Sequence, residues 1–303
     1  MKPTSDARSD SDAKPSNSQA GEVLRDWRES AHYWQKHAAT IRTMFGPVTQ
    51  ALIEDAGIIE GDAVLDVAGG VGEPSLTIAG IVAPTGVVAC TDAAPEMVAA
   101  AASEGQRRGL TNVLFRRCEA DSLPFEDNSF DSVICRLGAM FFPDPLAALR
   151  EMLRVTKREG AIALAVWHKS ELNPFAYLIP DVLARHFGVS APADPNAPGA
   201  FRFAETGVLA EILSSAGALE VTERVLKFDI AAPISPKEFW EMRSETSGTL
   251  RAKVKSLLPA EAALIAQEAQ AAVREFFPNN QMRFPAQMII VSGSKASSNN
   301  EVI

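Results

Sequence analysis

Asp66 closes a short apolar run, and Gly69, Gly70 and Gly72 follow it in the stretch "VLDVAGGVGEPSL". Glycines let a chain turn from strand to helix in a few residues and let backbone approach a ligand with no Cβ in the way. The N–H groups that open the next helix favour a carboxylate or phosphate. A second acid, Asp92, ends the run "VVACTD" about twenty residues further on, where a carboxylate accepts both hydroxyl hydrogens of an adenosine ribose. The pair implies a nucleoside ligand. Asp66 would repel a pyrophosphate, so the far end of that nucleoside fits an amino acid better. A nicotinamide site would want G-x-G-x-x-G, and here Ser75, preceded by Pro74, holds the third glycine place.

His168 follows the fifth predicted strand directly and is the candidate general base or substrate orienter. His32 and His37 lie in "RESAHYWQKHAATI", an amphipathic helix expected to fold over the ligand. Tyr33 and Trp34 of that helix either line the pocket or fasten the helix down. His186 is expected to pack within an irregular segment. Cys90, Cys118 and Cys135 lack CxxC spacing and lie in or beside strand-like runs, which suits buried thiols in a reducing cytoplasm. No zinc or other metal site is predicted.

The net charge of −9 comes with scattered Lys and Arg, so no basic stripe suggests a nucleic-acid partner. The opening "MKPTSDARSDSDAKPSNSQA" has no apolar core segment and reads as a disordered tail over residues 1–20. No apolar stretch approaches the roughly 20 residues of a membrane span. A soluble cytoplasmic protein, monomeric or homodimeric, is expected.

Around these residues the chain alternates. Strands are predicted at Ala63–Val67, Gly86–Thr91, Val113–Arg117, Ser132–Arg136 and Ala161–Trp167, with helical spacing at Ser75–Val82, Pro95–Gly109 and Pro145–Thr156. Asp144 suits a helix N-cap, with Pro145 in the first helical position. Such alternation gives an α/β fold: a Rossmann-like, mostly parallel sheet with helices on both faces, binding ligands at the carboxyl ends of the strands where strand order reverses. Beyond Trp167 the pattern loosens, with a loop near Ser190–Ala200. Helix is predicted again at Gly207–Ala216, Pro236–Ser247 and Pro259–Phe277, and strand at Leu219–Phe228 and Ala286–Ser292. The expected organisation is a helical cap over 21–50, a core over 51–168, a cap insertion over 169–200, core again over 201–234, a helical cap insertion over 235–280, the last strand over 281–294 and a flexible end over 295–303.

Four stretches, "VLDVAGGVGEPSL", "GVVACTDAAPEMVAAA", "EADSLPFEDNSFDSVICRLGAMFFPDPLAALREMLRVTKREG" and "LAVWHKSELNPF", together resemble the class I S-adenosylmethionine-dependent methyltransferases, most of all the ubiquinone/menaquinone-biosynthesis type. The resemblance covers Leu52 to about Phe175. It implies a seven-stranded sheet with an antiparallel last strand and S-adenosyl-L-methionine as cofactor. Carried over residue by residue, Asp66 and the backbone of Ala68, Gly69, Gly70 and Gly72 resemble the part that holds the methionine end. Asp92, with Ala93 beside it, resembles the ribose clamp, and Met97 the apolar contact to adenine; Met97 equally suits core packing. The family's aspartate-alanine pair after the third strand is Glu119-Ala120 here, a carboxylate for the adenine amino group on a longer arm. Arg136 to Met140 resembles the segment lining the sulfonium, and Tyr33 of the N-terminal helix is a further candidate contact.

That cofactor brings its own leaving group, so the expected reaction is in-line SN2 transfer to O, C or N of a small acceptor. The chain lacks the asparagine-proline-proline-tyrosine signature of amide and nucleobase methylation, reading "CRLGAMFF" instead. A small, aromatic or apolar acceptor is therefore expected, in a pocket drawn from Trp167, Phe175, Tyr177, Phe239, Trp240 and Met242. Two other readings stay open at this point: a nicotinamide-dependent oxidoreductase on a related sheet, and a non-catalytic nucleoside-binding module.

Overall fold

The computed structural model describes residues 17–188, 194 and 196–297, with side chains from residue 21 onward. Seven strands form one sheet: β1 (Ala63–Val67), β2 (Val87–Asp92), β3 (Val113–Arg117), β4 (Phe130–Arg136), β5 (Thr156–Trp167), β6 (Leu219–Ala232) and β7 (Met282–Ser294). Their order is β3-β2-β1-β4-β5-β7-β6. β7 runs antiparallel to both β5 and β6, and the other neighbouring pairs are parallel. This is the mostly parallel sheet with an antiparallel last strand expected from the sequence.

The order reverses between β1 and β4, so the exits of these two strands flank the crevice that such sheets use for ligands. They come very close there: a Cβ on Gly138, just past β4, would lie 2.6 Å from the Cβ of Ala68, just past β1. Ala68 (φ 58°) and Leu137 (φ 62°) both hold the left-handed region without being glycine. Such backbone strain persists only where the surroundings impose it, and it concentrates at functional sites.

The central strands are buried on both faces and read as continuous apolar runs, as parallel sheets require. Eleven helices are described. α1 (Asn17–Lys36), α2 (Ala38–Met44) and α3 (Gly46–Asp55) precede the sheet. α4 (Ser75–Val82), α5 (Pro95–Arg107) and α6 (Pro145–Val155) are the crossovers. As expected, Asp144 caps α6, accepting from the Ala147 N–H at 3.0 Å, with Pro145 next in the chain. α7 (Pro174–Phe187) and α8 (Val208–Ala216) follow β5, and α9 (Pro236–Thr246), α10 (Gly248–Lys255) and α11 (Pro259–Ala272) lie between β6 and β7.

Four expectations need correction. The stretch after Trp167, read as irregular, contains the fourteen-residue α7. Pro180 hid it, because proline removes an interior N–H; Pro180 is exposed, so water can serve the carbonyl left without a donor. His186 belongs to this helix, and its Nε2 faces the Glu268 carboxylate of α11 at 2.9 Å on the surface. The last strand begins at Met282, not Ala286, with Pro285 inside it. There β7 pairs only with β6, since its pairing to β5 starts at Met288, and proline is tolerated where one side of a strand is an edge. Helix α1 starts at Asn17, inside the stretch read as tail. The rest of that tail, residues 190–193 and 195 of the Ser190–Ala200 loop, and most of the C-terminal end lie outside the described residues.

Candidate cofactor and acceptor site

The glycine turn is tied to β2 and then to Asp92. Gly69 donates its N–H to the Thr91 carbonyl at 2.8 Å, and Gly70 donates to Asp92 Oδ2 at 3.0 Å. Asp92 Oδ1 accepts from the Ala94 N–H at 2.9 Å. Each carboxylate oxygen has two lone pairs, so both can still receive a hydroxyl donor. Gly72 has φ 109°, and a Cβ there would strike Leu76 Cδ1 at 2.7 Å. Gly70 has φ 56° and nothing within 4 Å of a would-be Cβ. The turn thus presents bare backbone to open space at Gly70 while its flanks are packed shut.

Asp66 lies beneath the turn, fully buried. Its Oδ2 accepts from Ser75 Oγ at 2.5 Å and from the Ser75 N–H at 3.2 Å. Its Oδ1 is buried with no hydrogen-bond partner. Ser75 therefore has a structural job: it anchors the acid that the turn wraps. Burial pushes the Asp66 carboxyl up to about 7, against the pull of Ser75 and of nearby Arg136. Burial likewise pushes Asp92 up to about 6, opposed by the Ala94 and Gly70 N–H groups.

The other candidates fall on both sides of the crevice. Met97 is buried in a small cluster with Ala31, Val71, Ala94 and Ala100, against which Leu24, Trp27 and Trp34 of α1 pack. Ala93 is half-buried beside Asp92. Glu119 is exposed and Ala120 half-buried, just past β3, on the same edge. Past β4, Arg136 donates from Nη1 to Thr49 Oγ1 at 2.9 Å and from Nη2 to the Glu73 carbonyl at 2.8 Å. Burial lowers its pKa, opposed by Glu73 and Asp66. Met140 is buried two residues past Gly138.

Tyr33 is turned away from this edge. Its ring lies under the Arg251 guanidinium of α10, 5.1 Å from the ring centroid, and beside His32. The α1 aromatics that reach the crevice side are its neighbours in the helix: Trp27 lies 5.6 Å from Trp34 and 5.2 Å from Phe141, past β4. Leu24, Trp27, Ala31, Trp34 and Ala38 recur at helical spacing and form the buried stripe, and Tyr33 is off it. The sequence reading missed Trp27 although this spacing would have found it. α1 is held in place by Trp34 Nε1 donating to the Thr246 carbonyl at 3.2 Å, by Lys36 and His37 on Glu245 at 2.8 and 2.6 Å, and by Arg251 on Ser30 at 3.1 Å.

At the end of β5, His168 Nδ1 sits 2.7 Å from the Ala204 carbonyl. A carbonyl only accepts, so Nδ1 carries the proton and a neutral ring keeps its lone pair on Nε2. Trp167 beside it is stacked on Phe175 of α7 at 6.1 Å and meets Phe45 at 6.0 Å and Phe201 at 6.4 Å. Phe239 and Phe284 continue this cluster inward as core.

The arrangement suits an adenosyl amino acid: an acid with an unpartnered oxygen behind a bare backbone turn, and a second acid with spare lone pairs at the neighbouring strand end. A family model described as "Methyltransferase domain" matches residues 65–164. An uncharacterised protein of Mycobacterium tuberculosis (strain H37Rv) is 31% identical over 199 residues, covering 65% of this chain and 70% of that one. A ubiquinone/menaquinone biosynthesis C-methyltransferase of Cellvibrio japonicus is 36% identical over 128 residues, covering 41% of this chain and 51% of that protein. The chain belongs to the class I S-adenosylmethionine-dependent methyltransferases. The solved YcgJ protein from Bacillus subtilis shares its fold, with a TM-score of 0.53 at 23% identity over 82% of this chain and 98% of that one. A methyl donor, not a nicotinamide, is thus the cofactor, and the chain is an enzyme of methyl transfer. No helix among the described residues is long and apolar enough to cross a membrane.

The two raised carboxyl groups predict how this methyltransferase responds to pH. A ligand that needs both acids ionised must displace their protons in the acid range. Affinity for S-adenosylhomocysteine, whose own ionisations lie outside the window, should fall about tenfold per unit between about pH 7 and 6 and about a hundredfold per unit below about 6, where two protons must leave, and should level off above about 7.5. Calorimetry in buffers of different ionisation enthalpy should show protons released on binding near pH 6.5. For the unliganded fold the sign is opposite: both groups bind more protons folded than unfolded between about pH 4 and 7, so their contribution to stability declines as pH rises through that range. A flat affinity profile from pH 5 to 8 would remove both acids from the cofactor site.

Proposed function

We propose that this methyltransferase methylates O, C or N of a small aromatic or apolar molecule held over the carboxyl ends of β4 and β5. The supporting observation is the aromatic shell at that edge, where Phe45, Trp167, Phe175 and Phe201 meet around the residue that precedes His168. Apolar walls with a few fixed polar groups are how proteins bind small organic molecules.

In this reading Asp92 accepts the ribose hydroxyls, and the backbone of Ala68 to Gly72 cradles the amino-acid end with Asp66 supplying negative charge behind it. Ala93, Met97, Glu119 and Ala120 border the adenine, and Arg136 to Met140 border the reacting end. Trp27 and Trp34, rather than Tyr33, close the cleft from α1. S-adenosylmethionine supplies an activated methyl group and its own leaving group. The protein's task is then to bring the acceptor atom into line and exclude water, which can lower the barrier by about 7–11 kcal/mol. His168, with its proton fixed on Nδ1, offers the Nε2 lone pair to a phenol or acidic carbon that must lose a proton to attack.

The test incubates the protein with S-adenosylmethionine carrying a labelled methyl group and a panel of phenols, quinols, aromatic acids and amines. Label recovered in an aromatic product supports the reading. If S-adenosylhomocysteine binds but no member of the panel is methylated, the proposed acceptor class is overturned.

A further inference from the structure

Among the described residues, Arg243 of α9 is a cation without a carboxylate. Its Nε is buried and has no hydrogen-bond partner. No ion pair to Asp or Glu reaches it among the described residues, whereas Arg108, Arg154 and Arg224 each find a carboxylate within 2.8 Å. The other two arginines buried around this edge, Arg136 and Arg251, spend their N–H groups on oxygens of the protein. Arg243 instead lies over the Phe175 ring, 4.6 Å from the centroid. Burial alone draws its pKa down to about 10, which leaves it charged at neutral pH.

A guanidinium whose Nε is buried without a partner carries a desolvation cost, and the cation–π contact offsets only part of it. Methionine or leucine would fill the same space without it. Phe175 stacks on Trp167, so Arg243 stands at one end of the aromatic shell and the strand end bearing His168 at the other. A guanidinium presents a planar fork of donors that matches a carboxylate in two parallel bonds. The walls between the two ends are aromatic.

We propose that Arg243 receives a carboxylate on the methyl acceptor, so that the substrate class is a small aromatic carboxylic acid. This rests on the reading that assigns the aromatic shell to the acceptor. The ring of such an acid lies along Trp167 and Phe175, its carboxylate on Arg243 and its nucleophilic atom toward the cofactor edge. Neutral aromatics of the same shape leave the guanidinium unpaired and are rejected for that reason, since a buried polar group without its partner discriminates strongly.

The test uses the full-length protein saturated with S-adenosylhomocysteine and matched probes: 2-naphthoate against 2-naphthamide, and indole-3-acetate against indole-3-acetamide, each by calorimetry. The wild type should bind at least one carboxylate tenfold or more tightly than its amide. Arg243→Met should reduce that preference to less than twofold, while Arg243→Lys keeps part of it. Both variants should hold S-adenosylhomocysteine within twofold of wild type, which reports an intact fold. The proposal is overturned if neither carboxylate is preferred by the wild type, or if the preference survives in Arg243→Met. Should Arg243→Met fail to fold, the wild-type comparison and Arg243→Lys still decide. A wild type that does not bind S-adenosylhomocysteine overturns the cofactor-site reading instead, so the two failures are separable.

Discussion

His168→Ala is expected to lower kcat by about 10²–10⁴-fold with a phenolic or carbon acceptor, the contribution of a positioned general base. The expectation follows from the Nδ1–H bond to the Ala204 carbonyl, which fixes the ring at the end of β5 and leaves Nε2 as the lone-pair atom. Cofactor affinity should not change. A merely structural imidazole would give a different pattern. Its loss would loosen the link between the β5 exit and Ala204, lowering stability and raising KM while leaving the pH dependence of kcat intact. A base, when removed, takes the acid limb of the kcat profile with it. His168→Gln sharpens the comparison, because glutamine can still donate to Ala204 but cannot take up a proton. If His168→Gln retains more than a third of wild-type kcat, His168 is a positioning residue.

Asp92→Ala is expected to weaken binding of S-adenosylhomocysteine by about 1.5–3 kcal/mol, roughly 10–150-fold, the worth of hydrogen bonds to a charged acceptor. Part of the loss will be indirect. Asp92 also receives the Gly70 and Ala94 N–H groups, so its removal frees the turn as well as the ribose clamp. Asp92→Asn separates part of the contributions, since its one amide oxygen can still accept from one of the two backbone N–H groups while the charge is gone. The asparagine variant should lie between wild type and alanine in affinity, and the acid-side fall in its pH profile should become shallower because one titrating group is removed. Unchanged affinity in Asp92→Ala would refute the ribose assignment.

The half of the molecule from β1 to β5 was legible because its signals are local. Val64 and Leu65 run into Asp66 and then into glycines, and Pro145 follows a capping aspartate, so period and punctuation agree at each boundary. What escaped depends on contacts between distant segments. Pro180 and Pro285 read as breaks, yet one sits on an exposed helix face and the other where β7 has a free edge. α10 was missed, with 248–258 left unassigned between two predicted helices, because Ser247, which accepts from the Leu250 N–H, ends one helix and caps the next with no loop between them. For the candidate site, the acids and glycines could be nominated by type and spacing. The sequence nominates Tyr33 and Trp34 of α1 but not Trp27, which the apolar stripe of the helix would have added. Arg243 gave no signal at all, since an arginine amid "EFWEMRSET" looks like one more solvated charge until Phe175, some seventy residues away in sequence, is found beneath it.

The most direct measurement is a crystal structure of the protein with S-adenosylhomocysteine. The ribose hydroxyls should lie within hydrogen-bond distance of Asp92, with the amino-acid end over the Ala68–Gly72 turn and the sulfur facing the residues past β4. Density for the nucleoside anywhere else, or a turn with no ligand while the solution binds it, would contradict the account.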